Sequence, residues 1–346
     1  MIIVLTILSL RFLPLHLYTK VFFIVFILLG VIIAINATNP LLIWIGLEIN
    51  LISFLPLMLE SDSNISSSNI IKYFLIQTIT SLIILFSIIG FNLKFSPLRI
   101  NRLFLISLFV KIGLPPYHFW LPSVIQSISW INCLILSTVQ KFGPLLLILA
   151  IHQFSKLRII LAILSLLIRS LGGLAQTNLR PLIAYSSIHH IVWCFLGLII
   201  NFSLFYFYFL AYIIACIGLF ITLHSYQIYS FKTITSIHVN YIGVAFVRII
   251  SLAGLPPLLG FFPKLFLLIN LCKLRIFITL FIVIRRSINL VFYFNFILSL
   301  LFLKIFTYKW SDLPYRASVP IFLITLTPYI IIISIIISHS AMVLLY

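Results

Sequence analysis

The sequence predicts an all-α, polytopic membrane protein of about 11 transmembrane helices. Three observations carry that expectation. The chain is 63% hydrophobic and 8% charged, against roughly 45–50% and about 25% in soluble domains. Its mean hydropathy is +1.30. Its apolar runs recur at about 20 residues, the length that crosses a bilayer, with only short polar connections between them. No soluble core of 346 residues hides that much apolar surface, so the solvent is lipid.

Taken in order, the spans fall near 18–37, 40–59, 68–91, 102–128, 130–150, 157–173, 179–200, 203–225, 240–272, 276–303 and 318–343. Before them, the apolar Met1 to Leu10 leads into Arg11, Pro14 and Lys20, with no small-residue cleavage site. Residues 1–15 therefore read as a short extension, with a helical core over about 16–343 and the whole chain, 1–346, as one transmembrane domain. The longest polar intervals, near 60–67, 226–239 and 304–317, read as loops. Basic residues in alternate connections balance: Arg11, Lys20, Arg180, Lys232, Lys304, Lys309 and Arg316 face Lys94, Arg99, Arg102, Lys156, Arg158, Lys273 and Arg275. Loop charge therefore does not set an orientation.

Two spans are unusually long, and each carries the same phrase. GLPPYHFWLP begins at Gly113 and GLPPLLGFFP at Gly254. A proline lacks an N–H, and its ring clashes with the carbonyl four residues back. Pro115 and Pro116 thus release the carbonyls of Lys111 and Ile112, and Pro256 and Pro257 release those of Leu252 and Ala253. The third proline of each phrase, Pro122 or Pro263, suits the first turn of a new helix half. Each span reads as a discontinuous helix, and paired broken helices point to the working centre of a repeat-built transporter.

The net charge of +18 comes from 22 basic residues against 4 acidic ones. The basic residues are scattered singly, with no patch or aromatic-interleaved stripe, so they suit lipid headgroups and snorkelling rather than nucleic acid. The acids Glu60, Asp62 and Asp312 fall in loops. Glu48 falls mid-helix, where an ionised carboxylate costs several kcal/mol unless paired or protonated. Lys111 ends one half of the first broken helix, Lys141 is mid-span, and Lys264 follows the second break. These four residues are candidates for a proton relay. Out of water a lysine holds its proton less firmly, and beside a carboxylate more firmly. A tenfold change in that hold is about 1.4 kcal/mol, on the scale of the about 2.3 kcal/mol that moves one charge through 100 mV.

His118, inside the first break, and His189 and His190, early in a helix, are weaker relay candidates. Arg285 and Arg286 have no role beyond an interhelical or headgroup contact. Cys133, Cys194, Cys216 and Cys272 match no metal or disulfide spacing and read as small packing residues. There is no GxGxxG after a strand, no P-loop and no metal-spaced Cys/His set, so no nucleotide, flavin or iron–sulfur centre is expected in this chain.

Five stretches resemble a known family: WIGLEINLISFLPL at 44–57, VKIGLPPYHFWLPSV at 110–124, VQKFGPLLLI at 139–148, GGLAQTNLRPLIAYSSIHHIVW at 172–193 and SLAGLPPLLGFFPKL at 251–265. In family order, they are similar to the second antiporter-like chain of the mitochondrial NADH–ubiquinone oxidoreductases, respiratory complex I, in its arthropod form. The resemblance implies two inverted five-helix repeats, each with one discontinuous helix, roughly over 68–173 or 102–225 and over 203–303. It implies proton translocation through Glu48, Lys111, Lys141 and Lys264, with His190 at the family's SSI-x-H histidine. It also implies FMN, iron–sulfur clusters and quinone in other subunits, membrane-arm subunits and lipids as partners, and a multi-pass place in the mitochondrial inner membrane. Ser123, Pro181 and Val192 depart from the family pattern without touching a relay residue. A stand-alone or multi-subunit cation/proton antiporter shares the repeat design. A scaffold whose buried charges only lock helices together is the third reading.

Overall fold

A computed structural model describes residues 17–59, 64–93, 96–150, 164–165, 172, 176, 178–226, 239–254, 258, 260–274, 279 and 282. Among these residues the secondary structure is helical, with no strand. The helices are α1 (Leu17–Asn36), α2 (Pro40–Met58), α3 (Asn64–Asn92), α4 (Pro97–Ile112), α5 (Trp120–Ser127), α6 (Trp130–Ser137), α7 (Val139–Ala150), α8 (Leu179–Ile200), α9 (Phe202–Ser225), α10 (Val239–Ala253) and α11 (Phe261–Leu274). Six spans among the described residues are long and apolar enough to cross a membrane. The span expected near 318–343, Arg285 and Arg286 lie outside the described residues, as do all but 164–165 and 172 of the span near 157–173 and all but 279 and 282 of the span near 276–303.

The chain forms two compact units. The first takes in residues 1–168 and 180–192, the second residues 169–179 and 193–346.

In the first unit α3 shows how the fold is adapted to lipid. Ile71, Leu75, Ile79, Leu82 and Phe86 are exposed along one stripe, while Gln77, Thr80, Ser81 and Ser87 are buried on the opposite face. Facing water, such a helix would be inside out. Facing hydrocarbon, it puts its apolar side toward lipid and its polar side where protein groups satisfy it. The three hydroxyls do so locally: Thr80 donates to the Gln77 carbonyl, Ser81 to Thr78 and Ser87 to Ile84. The helix begins at Asn64, inside the interval expected to be a loop. The polar run NISSSN there is hydrophilic but contains no helix breaker.

Close packing of α1 on α2 positions Glu48. Gly30 and Ala34, one turn apart on α1, face Gly46 on α2. A Cβ at Gly46 would lie 2.7 Å from both the Gly30 carbonyl oxygen and the Ala34 nitrogen. Small residues of this kind let helix backbones approach in a membrane. Gly46→Leu is expected to force the helices apart, with an overpacking cost of about 1–3 kcal/mol. The check is a lowered thermal unfolding midpoint of the detergent-solubilised assembly, with Gly46→Ala less severe.

Asn39 caps α2, its Oδ1 accepting from the Leu41 amide at 3.2 Å ahead of Pro40. At the other end of α2, Asn132 of α6 donates to the Leu57 carbonyl at 2.5 Å. The expected span 130–150 is divided at Thr138 into α6 and α7. In the second unit α9 packs against both α10 and α11.

Candidate functional site

Both expected helix breaks are present, and glycine makes each one. Gly113, with φ 77°, ends α4, and Gly254, with φ 79°, ends α10. In this left-handed region a Cβ is costly, so a glycine is the usual residue after a helix end. The Gly113 amide donates to Phe109 and Val110, and Gly254 repeats the pattern with Ile250 and Ser251. The following halves, α5 and α11, hold Pro122 and Pro263 at their third residues, within the first turn as the sequence suggests.

A broken helix in lipid has to satisfy the carbonyls it releases. In the first break, the Gln77 amide of α3 donates to the Lys111 carbonyl at 3.3 Å. The Trp120 indole N–H donates to the Val110 carbonyl at 3.2 Å. In the second break, the Lys264 Nζ itself donates to the two carbonyls that prolines 256 and 257 release: Leu252 at 2.8 Å and Ala253 at 3.0 Å. A neutral helix end is thus capped by an amide in one unit and by an ammonium in the other. Lys264 is 1% exposed. The approach is tight, since a Cβ on Gly254 would sit 2.9 Å from Nζ.

The Lys111 side chain, in the last turn of α4, is also buried. Glu48, half-buried on α2, lies near enough to act electrostatically on the Lys111 ammonium. Lys141 enters at the start of α7, just past the discontinuity at Thr138, and is 2% exposed. It donates to the Ser187 hydroxyl of α8 at 3.1 Å. His190 follows Ser187 by three residues, so it lies one turn further along the same helix, and it is buried.

Lys111 and Lys141 share a cavity of about 20 Å³, lined also by Leu47, Asn50, Leu51, Tyr73, Gln77, Trp120, Leu136, Gln140 and Pro144. That volume holds about one water molecule. The first unit therefore brings Glu48, Lys111 and Lys141 into one neighbourhood, with His190 a turn beyond the Lys141 partner. Lys264 belongs to the second unit. His118 lies in the first break, buried, with its ring centroid 6.1 Å from that of Tyr185. Its Nδ1 is buried and makes no hydrogen bond.

Sequence reasoning had not singled out Asn50, Gln77, Gln140, Tyr73 or Ser187 at this site. Their one signal is a polar side chain within an apolar helix. Among the described residues no cluster of His, Cys, Asp and Glu could hold a metal ion.

The chemistry open to this arrangement is proton transfer. A lysine ammonium has three donors, and a neutral amine keeps two N–H donors and gains a lone pair. Lys264 can therefore release a proton and still serve both carbonyls. Taking a charge out of water costs several kcal/mol even after relaxation. Three buried lysines are an expensive way to pack helices, and their positions at helix breaks and a polar cavity are where that cost is offset.

Comparison with known proteins gives the family. Residues 37–289 match the family described as NADH:quinone oxidoreductase/Mrp antiporter, transmembrane. NADH-ubiquinone oxidoreductase chain 2 of Anopheles gambiae is 38% identical over 301 residues, covering 83% of this chain and 87% of that protein. A chain of respiratory complex I from Thermus thermophilus aligns with a TM-score of 0.72 at 22% identity, over 89% of this chain and 75% of its own length. A chain of the Mrp complex from Dietzia sp. aligns at 0.68 and 18% identity, over 86% of this chain and 61% of its own. These two likenesses concern the fold. With its helix breaks, its buried lysines and this extent of match, the chain belongs to the NADH:quinone oxidoreductase/Mrp antiporter family of transmembrane, antiporter-like proteins.

Proposed function

We propose that this chain is a proton-translocating, non-redox subunit in the membrane arm of an NADH:ubiquinone oxidoreductase, multi-pass in the mitochondrial inner membrane. The observation that carries the reading is the placement of buried Lys111 and Lys141 on one small polar cavity, with Glu48 acting on Lys111. The 38% identity to a chain of that enzyme over most of both lengths favours it over a stand-alone or multi-subunit cation/proton antiporter.

In the proposed cycle, Glu48 moves toward or away from Lys111 and so tightens or loosens the lysine's hold on its proton. Lys111 passes a proton through cavity water to Lys141. Lys141 hands it on by way of the Ser187 hydroxyl, with His190 beyond. Lys264 is the outer member of the relay by its motif position, and its two-carbonyl cradle tolerates both protonation states. His118 is a side branch. The chain completes about 11 helices in two inverted five-helix repeats within one transmembrane domain. Redox cofactors (FMN, iron–sulfur clusters and quinone) sit in other subunits, and the partners of this chain are membrane-arm subunits and lipid. Neither nucleotide nor nucleic acid is among its ligands.

The test is isolation of the native assembly from detergent-solubilised membranes through a tag on this chain. A large, many-subunit complex that oxidises NADH is the expected result. A small complex that exchanges Na⁺ or K⁺ for protons, with no NADH oxidation, would place the chain with the antiporters instead.

A further inference from the structure

Among the cavity's lining residues, two carboxamides that have no part in the relay just described are hydrogen-bonded to each other. Gln140 of α7 donates from Nε2 to Oδ1 of Asn50 on α2, at 2.7 Å, with Asn50 buried. Both side chains line the cavity shared by Lys111 and Lys141.

A carboxamide neither gives up nor takes a proton at physiological pH, unlike the lysines beside it. Two amides bonded to each other also withdraw one donor and one acceptor from any water between them. With the pair closed, the cavity has room for about one water. The two ends of the pair differ in how their backbones are held. Asn50 belongs to a backbone wedged against α1: a Cβ on Gly30 would lie 2.9 Å from the Asn50 nitrogen. Gln140 sits two residues after the discontinuity at Thr138. Pro144 stands four residues later inside α7 and has no N–H for the Gln140 carbonyl. One partner is fixed and the other stands on a weakened turn.

Building on the relay reading above, we propose that the Asn50–Gln140 amide pair is a latch. Closed, it keeps Lys111 and Lys141 from exchanging a proton; swung open at Gln140, it admits the additional water that connects them. The latch prevents protons from slipping back between relay stages, so it sets coupling rather than catalytic rate.

Two substitutions at one position separate this role from packing. Gln140→Ala removes the amide and leaves space for water, whereas Gln140→Leu removes it and fills the space with an apolar group. Each variant is assayed as the whole NADH-oxidising complex in sealed vesicles, after native electrophoresis confirms that it assembles. For Gln140→Ala the expected result is fewer protons moved per electron pair at near-parental quinone reductase rate. For Gln140→Leu it is a slowed coupled rate. Asn50→Ala, which empties the other side of the pair, is expected to match Gln140→Ala. A parental proton ratio in both alanine variants, or the same defect in Gln140→Ala and Gln140→Leu, overturns the latch. Lys141→Met in the same vesicles keeps the two failures apart. If it loses pumping while the alanine variants keep the parental ratio, the latch fails and the relay stands; if it too pumps normally, the relay itself fails.

Discussion

Replacing Lys264 by methionine is expected both to destabilise the assembly and to abolish this chain's share of proton pumping. The two losses have separate causes. Lys264 Nζ donates to the Leu252 and Ala253 carbonyls, and a buried polar group left without a partner costs about 1–3 kcal/mol. The methionine supplies no donor, so both carbonyls at the end of α10 lose one, and the thermal unfolding midpoint of the solubilised assembly falls. Lys264→Arg separates cap from relay. A guanidinium keeps donors and charge but cannot be deprotonated in a protein. The arginine variant is expected to recover much of the lost stability while pumping stays impaired, measured as proton uptake per electron pair. Recovery of both together would mean that Lys264 only caps the break. Flavin-site NADH oxidation with artificial acceptors should be unaffected in either variant.

The helix breaks and the charges could be read from the sequence because their signals are local. A Pro-Pro pair names the carbonyls it releases, and a lysine in an apolar run announces its own cost. The structure adds which groups meet these residues, and those come from distant positions. Gln77 and the Lys111 carbonyl are 34 residues apart in the chain, Lys141 and Ser187 are 46 apart, and Gln140 and Asn50 are 90 apart. Serine, asparagine and glutamine are common enough in membrane helices that none of these pairings follows from local pattern. The role of Lys264 shows the same limit: its position after the break was legible, but its own ammonium serving as the cap was not. At Asn64 the polar run read as loop because hydrophilicity and helix termination often coincide, yet the structure separates them. Gly46 was one glycine among twelve until the approach of α1 gave it a reason.

Lys141→Met carries the second large effect, and it is cleaner than the first. Lys141 donates to the Ser187 hydroxyl, which itself donates to the Ala184 carbonyl at 2.8 Å. Removing the lysine therefore leaves Ser187 hydrogen-bonded. Methionine is an unbranched chain that fills the space. It also relieves the protein of a buried charge. The unfolding midpoint is expected to hold or rise, while the relay loses the station between the cavity and α8. A scaffold role predicts the reverse: falling stability with unchanged pumping.

The most direct measurement is thus the number of protons moved per electron pair by the Lys141→Met complex, reconstituted in sealed vesicles and driven by NADH. A relay through Lys141 requires that this number fall below the parental value in a fully assembled, thermally intact enzyme. The parental number in that same enzyme would contradict it.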